Sequence, residues 1–482
     1  MELAGVGGTF MRHASPNERR CITREDLRYY NSVVIGATYE FKDRGDLDLR
    51  SRSTYYWALT ACIKQHPFLG VVIRQEHTER PFYERASEIH LESHTLIAGD
   101  LQDNNITKGI ESVLASTALD RSWLGDDKPP WRIVVYPILS PREAKPSRCF
   151  IAFSFSHGLS DGLAGPAFHR TFLSAMSEPS MSKETPAVIT SDLTLSAPFD
   201  TPERLPISWA FLLGPLLALC LPKFIANFLG LRASTTTIDE RTWLGAPIFI
   251  GKDSSPTQLR ILEIEGSLLQ RSLQLARENG SKLTANLHQM IVRALSQSIP
   301  SPLVDNFVSQ TAVNMRGSIG ASATEMGMFV TGFYDIHRRV DGKAPFSTQE
   351  WVTASSMTKS LAESATKLQD QPIGLLRYAP SIRKYLTGKL GQKRDCSYEL
   401  SNLLAFSNAP SDGTCNITNM IFSQPSGVAT APLTFSVISV GGGSLMIAVT
   451  WQPGALGSVP GGEHQFVQSI CESIHSDFRN LT

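Results

Sequence analysis

An α/β fold of two similar mixed-sheet lobes with a cleft between them is predicted, on three observations. At 482 residues the chain exceeds what one hydrophobic core ordinarily organises. Strand and helix patterns are mixed in both halves. Between them, residues 177–206 shift to Ser, Thr and Pro, the composition of a surface crossover. The expected division is an N-terminal lobe over residues 1–195, a crossover linker with an apolar helical segment over 196–242, and a C-terminal lobe over 243–482.

The elements follow in order. "EDLRYYNSVVIGATYEF" (Glu25–Phe41) begins as a short helix and continues as an apolar strand. A helix then ends near His66, because Pro67 disfavours helix in the residue before it. Strands are expected at Leu69–Arg74, Pro129–Leu139 and Arg148–Ser156. From Leu205 to Pro222 no residue is charged, which approaches a membrane span in length. Gly214-Pro215 breaks that run and Pro222 ends it, so a helical hairpin, buried or lying on a surface, is expected over Ile207–Leu231. In the second half, helices are read at "SLLQRSLQLAREN", stopped by Gly280, and after the capping candidate Thr284. Strands then dominate until a C-terminal helix, "GGEHQFVQSICESIHSDF".

Composition removes several function classes. Lys+Arg and Asp+Glu both number 45, so no net field recruits nucleic acid. The seven cysteines form no CxxC, and no HxxEH-like spacing exists, so neither a zinc site nor a disulfide framework is expected. The N-terminus lacks a secretory pattern, which makes a reducing, cytoplasmic setting the default. Four sequons, at Asn105, Asn279, Asn416 and Asn480, are then chance matches, and "GVGGTF" has no strand before it to make a dinucleotide loop.

The stretch that carries chemistry is "FIAFSFSHGLSDGLAGPAFHRTFL" (Phe150–Leu173). Phe153 and Phe155 alternate with Ser154 and Ser156, as a strand with one face in a core requires. His157 stands where the strand ends, and Gly158 relaxes the backbone beside it. Asp161 and Gly162 open a helical run, Leu163–Met176. Two readings compete: a satisfied core histidine with Asp161 as a helix N-cap, or an exposed reactive imidazole. His169 reads as packing or surface, His66 as a turn residue, and His337 and His464 as having no chemical neighbours.

"SHGLSDG" resembles the HxxxDG motif of CoA-dependent acyltransferases related to chloramphenicol acetyltransferase, plant BAHD acyltransferases and peptide-synthetase condensation domains. The wider pattern is most similar to the fungal alcohol acetyltransferase family, a resemblance that implies a role in secondary metabolism. Its echoes run in order from residue 25 to 455: "RYYNSVVIGATYEF", "QHPFLGVVI", "PPWRIVVYPI", "WLGAPIF", "TAVNMRG", "AFSNAP" and "FSVISVGGGSLMIAVTWQPG". Ser156 replaces the first of the paired histidines of condensation domains, and the plant DFGWG motif is absent, with "SVGGGS" in the late strand region instead.

This resemblance implies a chloramphenicol-acetyltransferase-like pseudo-dimer with its active site at the lobe interface. His157 would be the general base that takes the acceptor's proton as it attacks acyl-CoA. A thioester is already activated, so no enzyme nucleophile, metal or bound cofactor is needed, acetyl-CoA being a co-substrate. Asp161 would pair with an arginine, for which Arg316 in "VNMRG" is the candidate, with Gly158 and Gly162 shaping the turn. Ser407 or Asn408 in "AFSNAP" would supply the oxyanion donor or contact CoA.

The expected activity is O-acylation of a hydrophobic small molecule by a monomer, with an amine acceptor as an alternative. Residues 207–231 offer a peripheral membrane contact. Two competitors are a thioester hydrolase or carrier-protein-dependent transacylase on the same fold, and a non-catalytic binding protein.

Overall fold

The computed structural model describes residues 9–481 except 43, 45–46, 120–126, 142–144, 179–185, 191–193, 222–224, 226–237, 252–256, 300–303, 341, 343–344 and 409–413. Two six-stranded mixed sheets organise it. In the first, the order is Cys415–Ser423, Val33–Phe41, Arg148–Phe155, Trp131–Leu139, Thr95–Ile97, with Leu101–Gln102 also on Trp131–Leu139. In the second it is Gln258–Ile264, Leu445–Trp451, Leu433–Val440, Tyr398–Phe406, Asn306–Asn314, Val330–Arg338.

Each sheet has its own core. Beneath the first lie Phe153, Phe155, Phe168 and Phe172; beneath the second lie Met290, Ile291, Phe435 and Ile470. A further apolar cluster joins Val34, Phe150 and Ile421 of the first sheet to Leu259, Ile261 and Met446 of the second, sealing the seam between them. The two halves also repeat a detail. His169 Nδ1 lies 2.8 Å from the Tyr39 hydroxyl, and His288 Nδ1 lies 2.8 Å from the Tyr398 hydroxyl, each joining a helix to the sheet under it.

The halves are not cleanly segregated along the chain. Cys415–Ser423 belongs by sequence to the second half but pairs antiparallel with Val33–Phe41 of the first sheet. The first part of the crossover linker is anchored to both halves of the chain. Asp200 accepts from the Asn17 backbone N–H at 2.8 Å, and the Ser208 N–H donates to Asp370 at 2.7 Å.

Several expectations change in detail. A helix over Pro16–Asp26 precedes the expected short helix at Glu25, and it is fixed by a capping box between Ser15 and Glu18 with proline at its start. Thr284 lies inside helix Leu283–Ser298 and does not cap it; Asn402 donates to its hydroxyl at 3.1 Å. Helices Ile106–Leu119 and Thr348–Thr366 were not expected. Strand Arg148–Phe155 is covered on both faces, with Ser154 as buried as its phenylalanines, because neighbouring elements cover what alternation alone reads as a polar face.

Within the apolar segment, Trp209–Cys220 is a 12-residue helix. Residues 222–224 and 226–231 of the expected hairpin lie outside the described residues. Among the described residues, no helix is long and apolar enough to cross a membrane.

Buried histidines give the fold a pH signature. Burial pushes His66, His94, His169 and His337 down to about 4, and His288 further below its ordinary value. His337 is not without neighbours, as the sequence suggested. Its ring stacks on His288 at 5.4 Å and its Nε2 lies 2.9 Å from the Ser309 hydroxyl. An unfolded chain takes protons on these rings below about pH 6.5 that the folded chain refuses, so stability falls as pH drops from there towards 4. Each ring adds up to about 1.4 kcal/mol per pH unit to that slope. Urea midpoints measured from pH 7.5 to 4.5 are expected to hold above 6.5 and fall steeply below it; a flat profile would contradict the neutral assignments.

Candidate active site

The histidine turn is built from local stops and long-range clamps. Strand Arg148–Phe155 ends at Ser156, residues 157–159 turn, and helix Ala164–Ser177 begins after Leu163. His157 Nδ1 lies 2.8 Å from the Ser160 carbonyl oxygen. A carbonyl only accepts, so Nδ1 carries the proton and Nε2 of the neutral ring keeps its lone pair free. The ring is half-buried. Burial first, then the positive charge of Arg24, pushes its pKa down to about 4; Arg20 acts in the same direction, while the Ser160 carbonyl and Asp161 oppose it. At neutral pH the imidazole is therefore an unprotonated base.

Asp161 does not cap the helix with a neighbour-only contact. It accepts a bidentate pair from Arg316, Nη1 to Oδ2 at 2.8 Å and Nη2 to Oδ1 at 2.9 Å. The backbone N–H groups of Phe329 and Leu163 add bonds at 3.0 and 3.1 Å. Arg316 spends its remaining donors on the Glu325 and Gly327 carbonyls and on Asn314, with the Phe329 ring 4.8 Å beneath. The expected partner is thus the actual one, and both groups are buried.

The loop that follows Arg316 grips the turn directly. Ser160 Oγ donates to the Gly327 carbonyl at 3.1 Å and accepts from the Gly327 N–H at 2.8 Å, and the Asp161 N–H reaches the same carbonyl at 3.1 Å. Gly327 sits at φ +150°, in the region that favours glycine. These bonds tie the second half of the chain to the loop that aims His157.

The flanking glycines act through space. Gly158 is not among the glycines at positive φ, and what its missing side chain provides here is space. A Cβ there would stand 2.7 Å from Ile22 and 3.0 Å from Ile73. At Gly162 a Cβ would meet Leu403 at 3.0 Å and Phe422 at 3.3 Å, which are on strands of the second and first sheets. The turn therefore lies at the seam between the sheets. Ser156, in place of a first histidine, donates from Oγ to buried Glu25 and accepts from the Gly158 N–H at 3.1 Å, while Tyr83 donates to the Gly158 carbonyl at 2.6 Å.

Ser407 and Asn408 lie at the end of strand Tyr398–Phe406. The Asn408 amide is engaged in both directions with the Ile417 backbone at 3.0 Å. Ser407 is exposed, and its carbonyl accepts from Arg170 at 3.5 Å. Their described contacts run to these partners and not to the histidine turn. His169 is a buried packing residue, its Nε2 lying 3.0 Å from the Ile35 carbonyl oxygen. Among the described residues no cluster of His, Cys, Asp and Glu fits a metal ion.

Sequence reasoning missed the residues on helix Pro16–Asp26 and the turn after it. Glu25 holds Ser156, and the Tyr30 ring lies 5.4 Å from that of His157. Arg24 stacks on Tyr30 at 4.3 Å. The signal that locates this helix, Ser15-Pro16-x-Glu18, was present in the sequence.

Comparison with known proteins agrees with this architecture. The family profile described as alcohol acetyltransferase matches residues 18–468. A probable alcohol acetyltransferase, FCK4 of Fusarium pseudograminearum, is 21% identical over 83% of this chain and 81% of its own. Among solved structures, TRI3 trichothecene 15-O-acetyltransferase from Fusarium sporotrichioides superposes with a TM-score of 0.68 at 11% identity, covering 97% of this chain and 94% of that one. TRI101 of the same fungus, solved with coenzyme A and T-2, gives 0.52 at 12% identity over 93% and 96%.

Proposed function

Because the chain belongs to the alcohol acetyltransferase family, we propose that it moves the acyl group of acetyl-CoA directly onto the hydroxyl of a hydrophobic small molecule, with His157 as the general base. The observation that carries this reading is the ring itself: Nδ1–H tied to the Ser160 carbonyl at 2.8 Å, on a turn clamped by both halves of the chain. That tether presents Nε2 as the basic atom.

The steps follow from one imidazole. Nε2 takes the acceptor's proton as the hydroxyl oxygen bonds to the thioester carbon, then returns it to the departing sulfur. No covalent enzyme intermediate forms. Asp161 moves no proton: four hydrogen bonds, two of them from Arg316, fix it as the brace of the turn. The low basicity of His157 in the free protein supports one further expectation. The acid limb of kcat/KM should lie well below pH 6.5, nearer 4, because the base is lost only as pH falls through its depressed pKa.

The test is to incubate the protein with acetyl-CoA and a panel of alcohols, following free thiol and ester together. Equal, acceptor-dependent release of thiol and ester is expected. Thiol released without acceptor would favour the hydrolase reading, and no turnover with any alcohol or amine would defeat the proposal.

A further inference from the structure

We propose that Arg24 is a further catalytic residue, its guanidinium receiving the negative charge that gathers on the thioester oxygen during transfer. This rests on the acyl-transfer reading above. Four arginines are buried among the described residues: Arg24, Arg293, Arg316 and Arg394. The other three are held by several protein acceptors each, Arg293 by Asp477 and Glu350, Arg316 by Asp161, and Arg394 by the carbonyls of Ala246, Val428 and Thr430, although Arg394 Nη2 also lacks a partner. Arg24 is 7% exposed, yet its buried Nη2 has no hydrogen-bond partner and no ion pair holds it among the described residues, the buried Glu399 carboxylate acting on it only through space.

What locates Arg24 is the site itself. Its guanidinium lies 4.3 Å over the Tyr30 ring, and that ring lies 5.4 Å from His157. Gly427 leaves room for it, since a Cβ there would stand 3.1 Å from Nη2. A buried cation without an ion pair costs stability. Donors held ready for charge that appears only in the transition state are the arrangement that accelerates acyl transfer.

The charges balance over the reaction. The acceptor oxygen bonds to the carbonyl carbon while its proton passes to His157 Nε2. The carbonyl electron pair moves onto oxygen, which accepts hydrogen bonds from the Arg24 N–H groups. The carbonyl then re-forms, the C–S bond breaks, and sulfur leaves with the electron pair and the proton from Nε2. Ester and free CoA are the products. A cation beside a base that must become a cation opposes the step unless an anion forms at the same moment, and here one does.

The experiment compares wild type, Arg24→Gln, Arg24→Met and Arg24→Lys as full chains, with acetyl-CoA and an alcohol accepted by wild type. The Gln and Met variants are expected to lose about 10²–10³-fold in kcat, with the KM for acetyl-CoA changed little and Lys recovering part. In Arg24→Gln the acid limb of kcat/KM should move up towards pH 6.5. The melting temperature of Arg24→Met should equal or exceed wild type. Unchanged kcat, a loss confined to KM, or a fall in melting temperature with kcat per folded molecule intact would overturn the assignment. If wild type turns over no acceptor, or His157→Ala keeps full rate, the acyl-transfer reading fails and Arg24 with it. An inactive His157→Ala beside a fully active Arg24→Gln removes Arg24 alone.

Discussion

His157→Ala is expected to lower kcat by about 10²–10⁴-fold, the usual contribution of a positioned general base, with little change in the KM for acetyl-CoA. The fold does not depend on this ring. It is half-buried, its hydrogen bond closes within its own turn, and its remaining described ring contact is with Tyr30. The melting temperature should therefore stay close to wild type, which separates loss of a base from loss of structure. Thiol release at saturating acetyl-CoA, read beside a thermal melt, decides the matter. A variant that keeps wild-type turnover would sink the base assignment whatever its stability.

Breaking the Asp161–Arg316 pair is expected to act in the opposite manner, on stability first. Both side chains are buried, and Arg316→Met would leave the Asp161 carboxylate with two backbone donors only. An uncompensated buried charge of this kind costs about 3–5 kcal/mol. The Glu325 and Gly327 carbonyls would lose their donors as well, loosening the loop that grips Ser160. Activity should fall further than stability accounts for, because the turn that aims His157 loses its brace. The double variant Asp161→Leu with Arg316→Met should recover part of the stability, since no lone charge remains, without recovering kcat. Denaturant midpoints across the four-member cycle measure the coupling. Additive single losses would mean that the pair is not the brace proposed.

These expectations show which parts of the molecule the sequence exposes. Strand-stop patterns locate the ends of Arg148–Phe155, and Gly280, at φ +63°, closes helix Gly266–Glu278 as its position suggests. Such features are legible because they are set by neighbours a few residues away. Strand Cys415–Ser423 is legible as a strand, but its place in the first sheet is not, since register with Val33–Phe41 depends on surfaces the pattern does not name. His337 failed for the same reason, its stacking partner His288 lying on a helix earlier in the chain.

The family is legible in the chain only through its resemblance to known sequences, whereas the mixed α/β class and the imidazole at the end of a hydrophobic strand are legible directly, because periodicity and short motifs are properties of neighbouring residues. Which nitrogen of that ring is free, the meeting of Asp161 with Arg316 across 155 residues, and the place of Arg24 on Tyr30 near His157 follow from the folded chain alone. Charge and hydrogen bonding act over a few ångströms of space, and chain folding brings distant residues to that range.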